Sequence, residues 1–547
     1  MDGNLIAQTV AAVRAGKLDQ AAALAEAGLA RGVEHPLLLN LRAYRLERQD
    51  RLAEALEALR KARILAPDDP SILNALGLCL GRLDRLHEAL EAFEAAVRAA
   101  PEFVQAHANR GRAYDSLGLL VPAREAFAEA ARLDPAAADP LANLAHLAAR
   151  RGDAAEARAL AKRALALQPA MPAAVQALAQ ADMLERRFED AAERLSRLAN
   201  GSRLESPDRA MTLSLLGDAL DGLGQAPQAF AAYLEGNLEL RKLYAPRFSG
   251  WTRQSAREMA DWLADYFRAA DPAAWAEAPA RQDAEAPLPR LVFLVGFPRS
   301  GTTLLEQVLA AHPAVATLEE VELFGDAVRE FMREPASLDR LAHIGPADAE
   351  RLRAAYWAGV RETGADLGRA VLVDKLPLNS LKLPLIAKLF PEAKILLAER
   401  DPRDVVFSCF RRRFRMNASM YELLTLEGAA RFYDSVMGLI EACRAKLPLD
   451  VQVVRYERLV QDFAGEVGRV CGFLGLGWSE AMETFSDRAR SGAVATPSAA
   501  QVARGLYKEG MGQWRAYEAQ LAPVAAILSP WVARLGYPEG GAFHATR

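Results

Sequence analysis

Cysteine is scarce in this chain: Cys79, Cys409, Cys443 and Cys471 are the only four in 547 residues, and they are widely scattered. That pattern provides neither a disulfide framework nor the close spacing of metal ligands. The seven histidines are equally dispersed, so no structural metal is expected. The start, MDGNLIAQTVAAVRAGKLDQ, lacks the basic segment and continuous apolar core of a secretion signal. No later stretch approaches the ~18 uninterrupted apolar residues of a membrane span. These absences read as a cytoplasmic protein with no membrane partner. A net charge of −4 excludes a global pull toward nucleic acid, so any basic site must be local. Apolar and charged fractions of 51% and 25% are those of an ordinary soluble protein. The length suggests about three or four domain-sized units.

What is present divides into two grammars. Residues 1–244 are rich in Ala and Leu and nearly free of β-branched runs. Ala21, Ala55, Ala89, Ala123, Ala157 and Ala191 recur at intervals of 34, as do Pro67, Pro101, Pro135 and Pro169, and Gly77 recurs as Gly111. A 34-residue period is one helix-turn-helix unit of a tetratricopeptide array, with small residues where helices cross and proline closing the second helix. The register breaks after about residue 195, in LANGSRLESPDRA, and resumes shifted through GDALDGLGQAPQAFAAY. Such an all-α solenoid presents a concave surface, commonly to a peptide or protein partner; a purely structural scaffold is the plainer reading.

Residues 245–289 run from a helical stretch, WTRQSAREMADWLADYFRAA, into DPAAWAEAPARQDAEAPLPR, whose Pro, Ala and charge read as a linker. From residue 290 to 547 short buried-type runs alternate with helical patterns: LVFLV (291–295), AVLVD (370–374), KILLAE (394–399) and VQVVRY (451–456). That alternation predicts an α/β domain with a central parallel sheet covered on both faces, and ligands beyond the carboxyl ends of its strands.

The first of these strands runs directly into Gly296-Phe-Pro-Arg-Ser-Gly-Thr-Thr303 and then an apolar helix. Backbone N–H groups, two hydroxyls and a guanidinium thereby gather at a helix N-terminus, which favours an anion. A nucleoside-triphosphate P-loop places Lys after its second glycine. Here Thr302 follows Gly301, and the only cation in the turn is Arg299, whose planar fork suits a phosphate held in place.

The third run ends in Glu399-Arg400-Asp401-Pro402-Arg403-Asp404, where Asp401 can cap a helix and Pro402 suits its first turn. On that helix Asp404, Ser408 and Arg412 stand at i, i+4 and i+8, so they share a face. Arg400, Ser408 and Arg412 can then converge on a second anion, with Arg411, Arg413 and Arg415 adding positive field.

Two anion sites in this order, each at a strand-helix junction, resemble the sulfotransferase family, whose donor 3'-phosphoadenosine 5'-phosphosulfate (PAPS) carries a 5'-phosphosulfate and a separate 3'-phosphate. PRSGTT is similar to the family's 5'-phosphosulfate loop and RDPRDVVFS to its 3'-phosphate segment, and the likeness covers roughly residues 290–535. Ala311-His312-Pro313, Thr317-Leu318-Glu319-Glu320 and Asp374-Lys375-Leu376-Pro377 extend it toward the tyrosylprotein sulfotransferases and the repeat-bearing bacterial members. The resemblance implies Glu320 as catalytic base, with Glu319 and Glu322 as rivals, and Lys375 as the cation on the bridging oxygen. It places Arg299, Ser300, Gly301, Thr302 and Thr303 on the 5' side, and Arg400, Ser408 and Arg412 on the 3'-phosphate. Tyr456, Ser498 and Lys508 would complete the donor contacts, and no metal is demanded.

Secretory relatives carry cysteines where this chain has Thr317 and Val373, which agrees with a reducing compartment and weakens inheritance of the same acceptor. The leading expectation is a PAPS-dependent sulfotransferase whose repeats recruit a macromolecular acceptor, such as a protein tyrosine. The alternatives are a repeat-scaffold adaptor that binds nucleotide without chemistry, and a P-loop kinase, which the missing lysine disfavours.

Overall fold

The computed structural model describes residues 2–201, 204–248, 254–279, 288–486, 505–506 and 510–538. Two compact units emerge, Met1–Leu184 and Glu185–Arg547. The first is all helical. One set of helices begins at Leu18, Leu52, Leu86, Leu120 and Ala154 and the other at Pro36, Pro70, Val104, Ala138 and Pro172, each set stepping by the expected period. All six periodic alanines, Ala21 through Ala191, are fully buried. Gly77 and Gly111 carry the close approach: a Cβ there would meet the rings of Phe93 and Phe127 at 2.5 and 2.7 Å. Each recurring proline follows the end of the preceding helix by two residues, as at Leu65 and Pro67, where no further N–H is needed. The first unit is therefore a tetratricopeptide-like solenoid.

The second unit opens with the helices Phe188–Gly201, Ser206–Gly222 and Ala226–Phe248 and continues into the α/β fold. Where composition suggests a linker, Asp271 caps the short helix Pro272–Ala276 and Trp275 is buried, edge-on to Phe267 at 5.0 Å. A five-stranded, wholly parallel sheet follows.

Its strands are β1 (Arg290–Gly296), β2 (Val315–Glu319), β3 (Val371–Lys375), β4 (Lys394–Glu399) and β5 (Asp450–Arg455), in the order β2-β3-β1-β4-β5. β2 is absent from the sequence reading, because VATLE is short and only its Val315 and Leu318 are buried. Registers such as Leu294 with Lys375 and Gly296 with Ala398 bring the carboxyl ends of β3, β1 and β4 level. One face of the sheet is covered by apolar residues from Ala256–Ala269, Pro346–Glu362, Pro402–Arg411 and Leu426–Lys446. The other is covered by Thr302–Ala310, Tyr456–Gln461 and Phe463–Leu474. With both faces closed, the polar groups that leave the strand ends share one edge of the sheet. All four cysteines are buried and free.

Candidate active site

Chain direction at the end of β1 is set by tight backbone packing. Gly296 (φ 151°) lies against β4 so closely that a Cβ would meet the Ala398 carbonyl oxygen at 2.6 Å. Phe297 is fully buried against Phe432 and Tyr433 and anchors the turn. Arg299 (φ 71°) and Gly301 (φ 99°) both adopt left-handed backbone, which coils the turn onto the first residues of helix Thr302–Ala310. Arg299 is one of few non-glycine residues so held; strain of this kind collects at functional sites.

The ends of β1 and β4 then join through Arg299. Its Nε donates to the Ser408 hydroxyl at 3.0 Å, and its carbonyl oxygen accepts from Arg400 Nη1 at 3.0 Å. Arg400 also donates to the Gly510 carbonyl and stacks its guanidinium over the Tyr456 ring at 4.7 Å. Its Nε is buried with no hydrogen-bond partner among the described residues. Burial, followed by repulsion from Arg412 and Arg400, pushes the Arg299 guanidinium down to about 9. A bound anion would relieve that repulsion, so the cluster favours one.

The helix Pro402–Arg411 begins as its sequence predicts, with Asp401 accepting from the Arg403 N–H at 3.0 Å. Its far end does not keep Arg412 on the face of Ser408. Arg412 is the extended residue that closes the helix (ψ 144°), and its Nη1 pairs with Asp218 at 3.1 Å. Asp404 likewise turns away, accepting from the Gly512 and Trp514 N–H groups at 2.7 and 2.9 Å.

A second cluster lies where β2 and β3 end side by side, with Glu319 in register with Lys375. Glu320 turns into left-handed backbone (φ 55°) and donates its N–H to the Lys375 carbonyl at 2.8 Å. The Lys375 ammonium, fully buried, donates to Glu320 Oε1 at 2.9 Å, with Glu306 Oε2 at 3.2 Å and Glu319 Oε1 at 4.0 Å. Burial disfavours its charge, but the three glutamates outweigh that and raise it above the usual lysine value. Glu322 is engaged elsewhere, on Lys382 at 2.5 and 2.6 Å. Asp374 faces inward, accepting from Tyr356 and Asn379, and burial pushes it up to about 7.

A profile described as "Sulfotransferase family" matches residues 289–480, and one described as "Psidin, N-terminal TPR repeats region" matches residues 11–114. Protein-tyrosine sulfotransferase 2 of Gallus gallus is 30% identical over 263 residues, covering 45% of this chain and 69% of that protein. The chain belongs to the sulfotransferase family. Nodulation protein NoeE of Sinorhizobium fredii is 32% identical over 226 residues, covering 37% of this chain and 53% of its own length. An uncharacterized protein of Aquifex aeolicus is 29% identical over 262 residues, covering 46% of this chain and 34% of that one. The chain thus spans about half of NoeE and a third of the Aquifex protein.

In this sulfotransferase the turn residues Arg299, Ser300, Gly301, Thr302 and Thr303 adjoin Arg400, Ser408 and Tyr456, while Glu320 and Lys375 form the neighbouring cluster. Ser498 and Lys508 lie outside the described residues. Two features escaped the sequence reading. Glu306 sits beside Lys375, signalled only by a carboxylate between Leu305 and Val308 in a helix with no other charged residue. Asp218 and Asp221, on helix Ser206–Gly222, hold Arg412 and Arg411 respectively. Among the described residues no helix is long and apolar enough to cross a membrane, and no group of His, Cys, Asp or Glu is arranged to hold a metal ion.

Proposed function

We propose that the protein transfers the sulfuryl group of PAPS to an acceptor hydroxyl, with Glu320 as base and Lys375 and Arg299 as the electrophilic pair. The observation that carries this reading is the buried Lys375 ammonium within 2.9 Å of an exposed glutamate at the strand ends. An acceptor oxygen attacks sulfur, its proton passes to Glu320, and the bond from sulfur to the bridging oxygen breaks. Charge gathers on that oxygen as adenosine 3',5'-bisphosphate leaves, where a fixed ammonium stabilises it more than it stabilises the ground state.

On the donor, Arg299 and the N–H and hydroxyl groups of Ser300, Gly301, Thr302 and Thr303 would take the 5'-phosphosulfate. Arg400 and Ser408 would take the 3'-phosphate, with Tyr456 against the nucleotide. Arg412 joins them only by leaving Asp218. For the acceptor, a protein tyrosine recruited by the repeats fits the solenoid and the likeness to protein-tyrosine sulfotransferases. Residues 1–244, 245–289 and 290–547 would then act as recruiting array, connector and catalytic domain, in the cytoplasm.

The test is transfer from labelled PAPS to the proteins of a host lysate, with Arg299→Ala, Glu320→Gln and Lys375→Met made singly. Each variant should lose transfer by about a hundredfold or more, as removal of a transition-state donor commonly does. Unchanged transfer in all three would sink the site assignment. Bisphosphate binding without turnover on any acceptor would leave an adaptor in its place.

A further inference from the structure

Burying a carboxylate one turn into the helix that receives the donor's phosphates runs against the site's own electrostatics. Glu306 is fully buried on helix Thr302–Ala310, among Leu304, Leu305, Val308 and Leu309. A negative charge there opposes anion binding at the same helix's N-terminus. An apolar residue of similar volume would usually be as stable or more so, since desolvation of a buried ion pair can exceed its attraction. Packing therefore gives no reason for the residue.

Its surroundings give one. Glu306 Oε2 stands 3.2 Å from Lys375 Nζ, and beyond that ammonium neither oxygen has a hydrogen-bond partner among the described residues. Lys375 thus has one glutamate on its buried side and another, Glu320, at 2.9 Å on its exposed side. The titratable groups facing Glu306 are Lys375 from β3 and Glu319 and Glu320 from the end of β2. Glu480 and Glu483, in the neighbouring turn Glu480–Thr484, are exposed. Burial pushes the Glu306 carboxyl up to about 8, with Lys375 pulling against it.

We propose that Glu306 is a positioning residue for sulfuryl transfer, holding the Lys375 ammonium from behind so that its remaining N–H groups point at Glu320 and at the bridging oxygen. The proposal rests on the sulfuryl-transfer reading. Glu306 forms and breaks no bond: the acceptor proton goes to Glu320, and Glu306 fixes the direction and charge of the lysine. When Glu306 is ionised, its charge keeps Lys375 protonated and its ammonium aimed at the leaving oxygen. As Glu306 takes up a proton, that hold weakens and kcat falls.

The experiment uses the full chain, labelled PAPS and the acceptor that the lysate assay yields. Glu306→Gln and Glu306→Asp are compared with wild type for kcat, donor KM, and calorimetric binding of adenosine 3',5'-bisphosphate. At about pH 9, Glu306→Gln should lower kcat about tenfold or more, with donor KM and bisphosphate affinity within about threefold, since a transition-state interaction is weakened and uniform binding is not. Glu306→Asp should recover part of the loss. Wild-type kcat should also rise through an inflection near pH 8 that Glu306→Gln lacks. Equal kcat in Glu306→Gln and wild type at about pH 9, or a wild-type kcat flat from about pH 6 to 9, overturns the proposal. The second criterion needs no variant, so it decides even if Glu306→Gln does not fold. A wild type that transfers no sulfuryl group overturns the functional reading and this proposal together, whereas transfer indifferent to Glu306 overturns this proposal alone.

Discussion

Replacing Gly301 with alanine adds one methyl group to the turn, at a position where the backbone and a neighbouring ring both forbid it. The residue holds φ 99°, and the added Cβ would meet Tyr456 Cδ2 at 2.7 Å. The left-handed backbone costs an L-residue roughly 1–2 kcal/mol. Relieving the contact requires the ring to move, and overpacking of this kind costs about 1–3 kcal/mol. Tyr456 has little room to retreat, because Arg400 stacks on it at 4.7 Å and Gly510 lies close enough that a Cβ there would meet Tyr456 Oη at 2.5 Å. The total is about 2–5 kcal/mol, divided between a less stable fold and a displaced turn. If the turn moves, affinity for adenosine 3',5'-bisphosphate falls tenfold for every ~1.4 kcal/mol diverted. Calorimetric binding and urea unfolding of Gly301→Ala should therefore show losses that together reach at least about 2 kcal/mol. Gly81→Ala is the control, since a Cβ there meets nothing within 4 Å in a helical backbone, and should gain about 0.5–1 kcal/mol. A Gly301→Ala protein that binds and unfolds like wild type, to within about 0.5 kcal/mol, would refute the reasoning.

The remaining predictions follow the same geometry. Glu306 at about 8 and Asp374 at about 7 are carboxyls raised by burial, so their contribution to stability is fully present below the ordinary carboxylate range and is lost as pH rises through 7 and 8. Urea midpoints should fall between pH 5 and pH 8.5, and Glu306→Gln should flatten the upper part of that decline. Asp221→Ala strips the acceptor from Tyr517 Oη and Arg411 Nη1, both on buried residues, and should cost about 1–3 kcal/mol by chemical denaturation. Glu322→Gln should leave transfer close to wild type while Glu320→Gln abolishes it, because Glu322 is bound to Lys382; a reversed ranking in the labelled-donor assay would move the base. In the repeats, Gly77→Leu drives a side chain into the Phe93 ring, 2.5 Å from the added Cβ, and should lower the thermal midpoint of the chain.

Local patterns carried much of the fold. The 34-residue recurrence of Ala21 to Ala191 foretold where each helix pair would close, because burial at a helix crossing tolerates only a small side chain and does so once per repeat. Asp401-Pro402 foretold a helix start because the cap acts within three residues. Four of the five strands were legible as buried runs, whereas β2 was not, since VATLE alternates weakly and depends on β3 for its pairing. The turn from Gly296 to Thr303 could be read for a related reason: its glycines, hydroxyls and arginine are consecutive.

The chain's sequence by itself determined the repeat period, the strand-turn-helix junction at Gly296 to Thr303 and the family likeness, all of which rest on residues within a few positions of one another. Only the tertiary structure decided which charges meet. Helix geometry puts Arg412 on the face of Ser408, yet the helix closes at Arg411 and Arg412 turns to Asp218, 194 residues away in sequence. Glu306 looks like an error as the one charge in its buried helix until β3 brings Lys375 to 3.2 Å. Of three glutamates in one short stretch, Glu320 meets Lys375 and Glu322 meets Lys382, which no spacing rule separates. Periodicity reports which side of an element is buried. A Coulomb interaction depends on distance and on exclusion of water, and for residues far apart in sequence both are settled only when the elements pack.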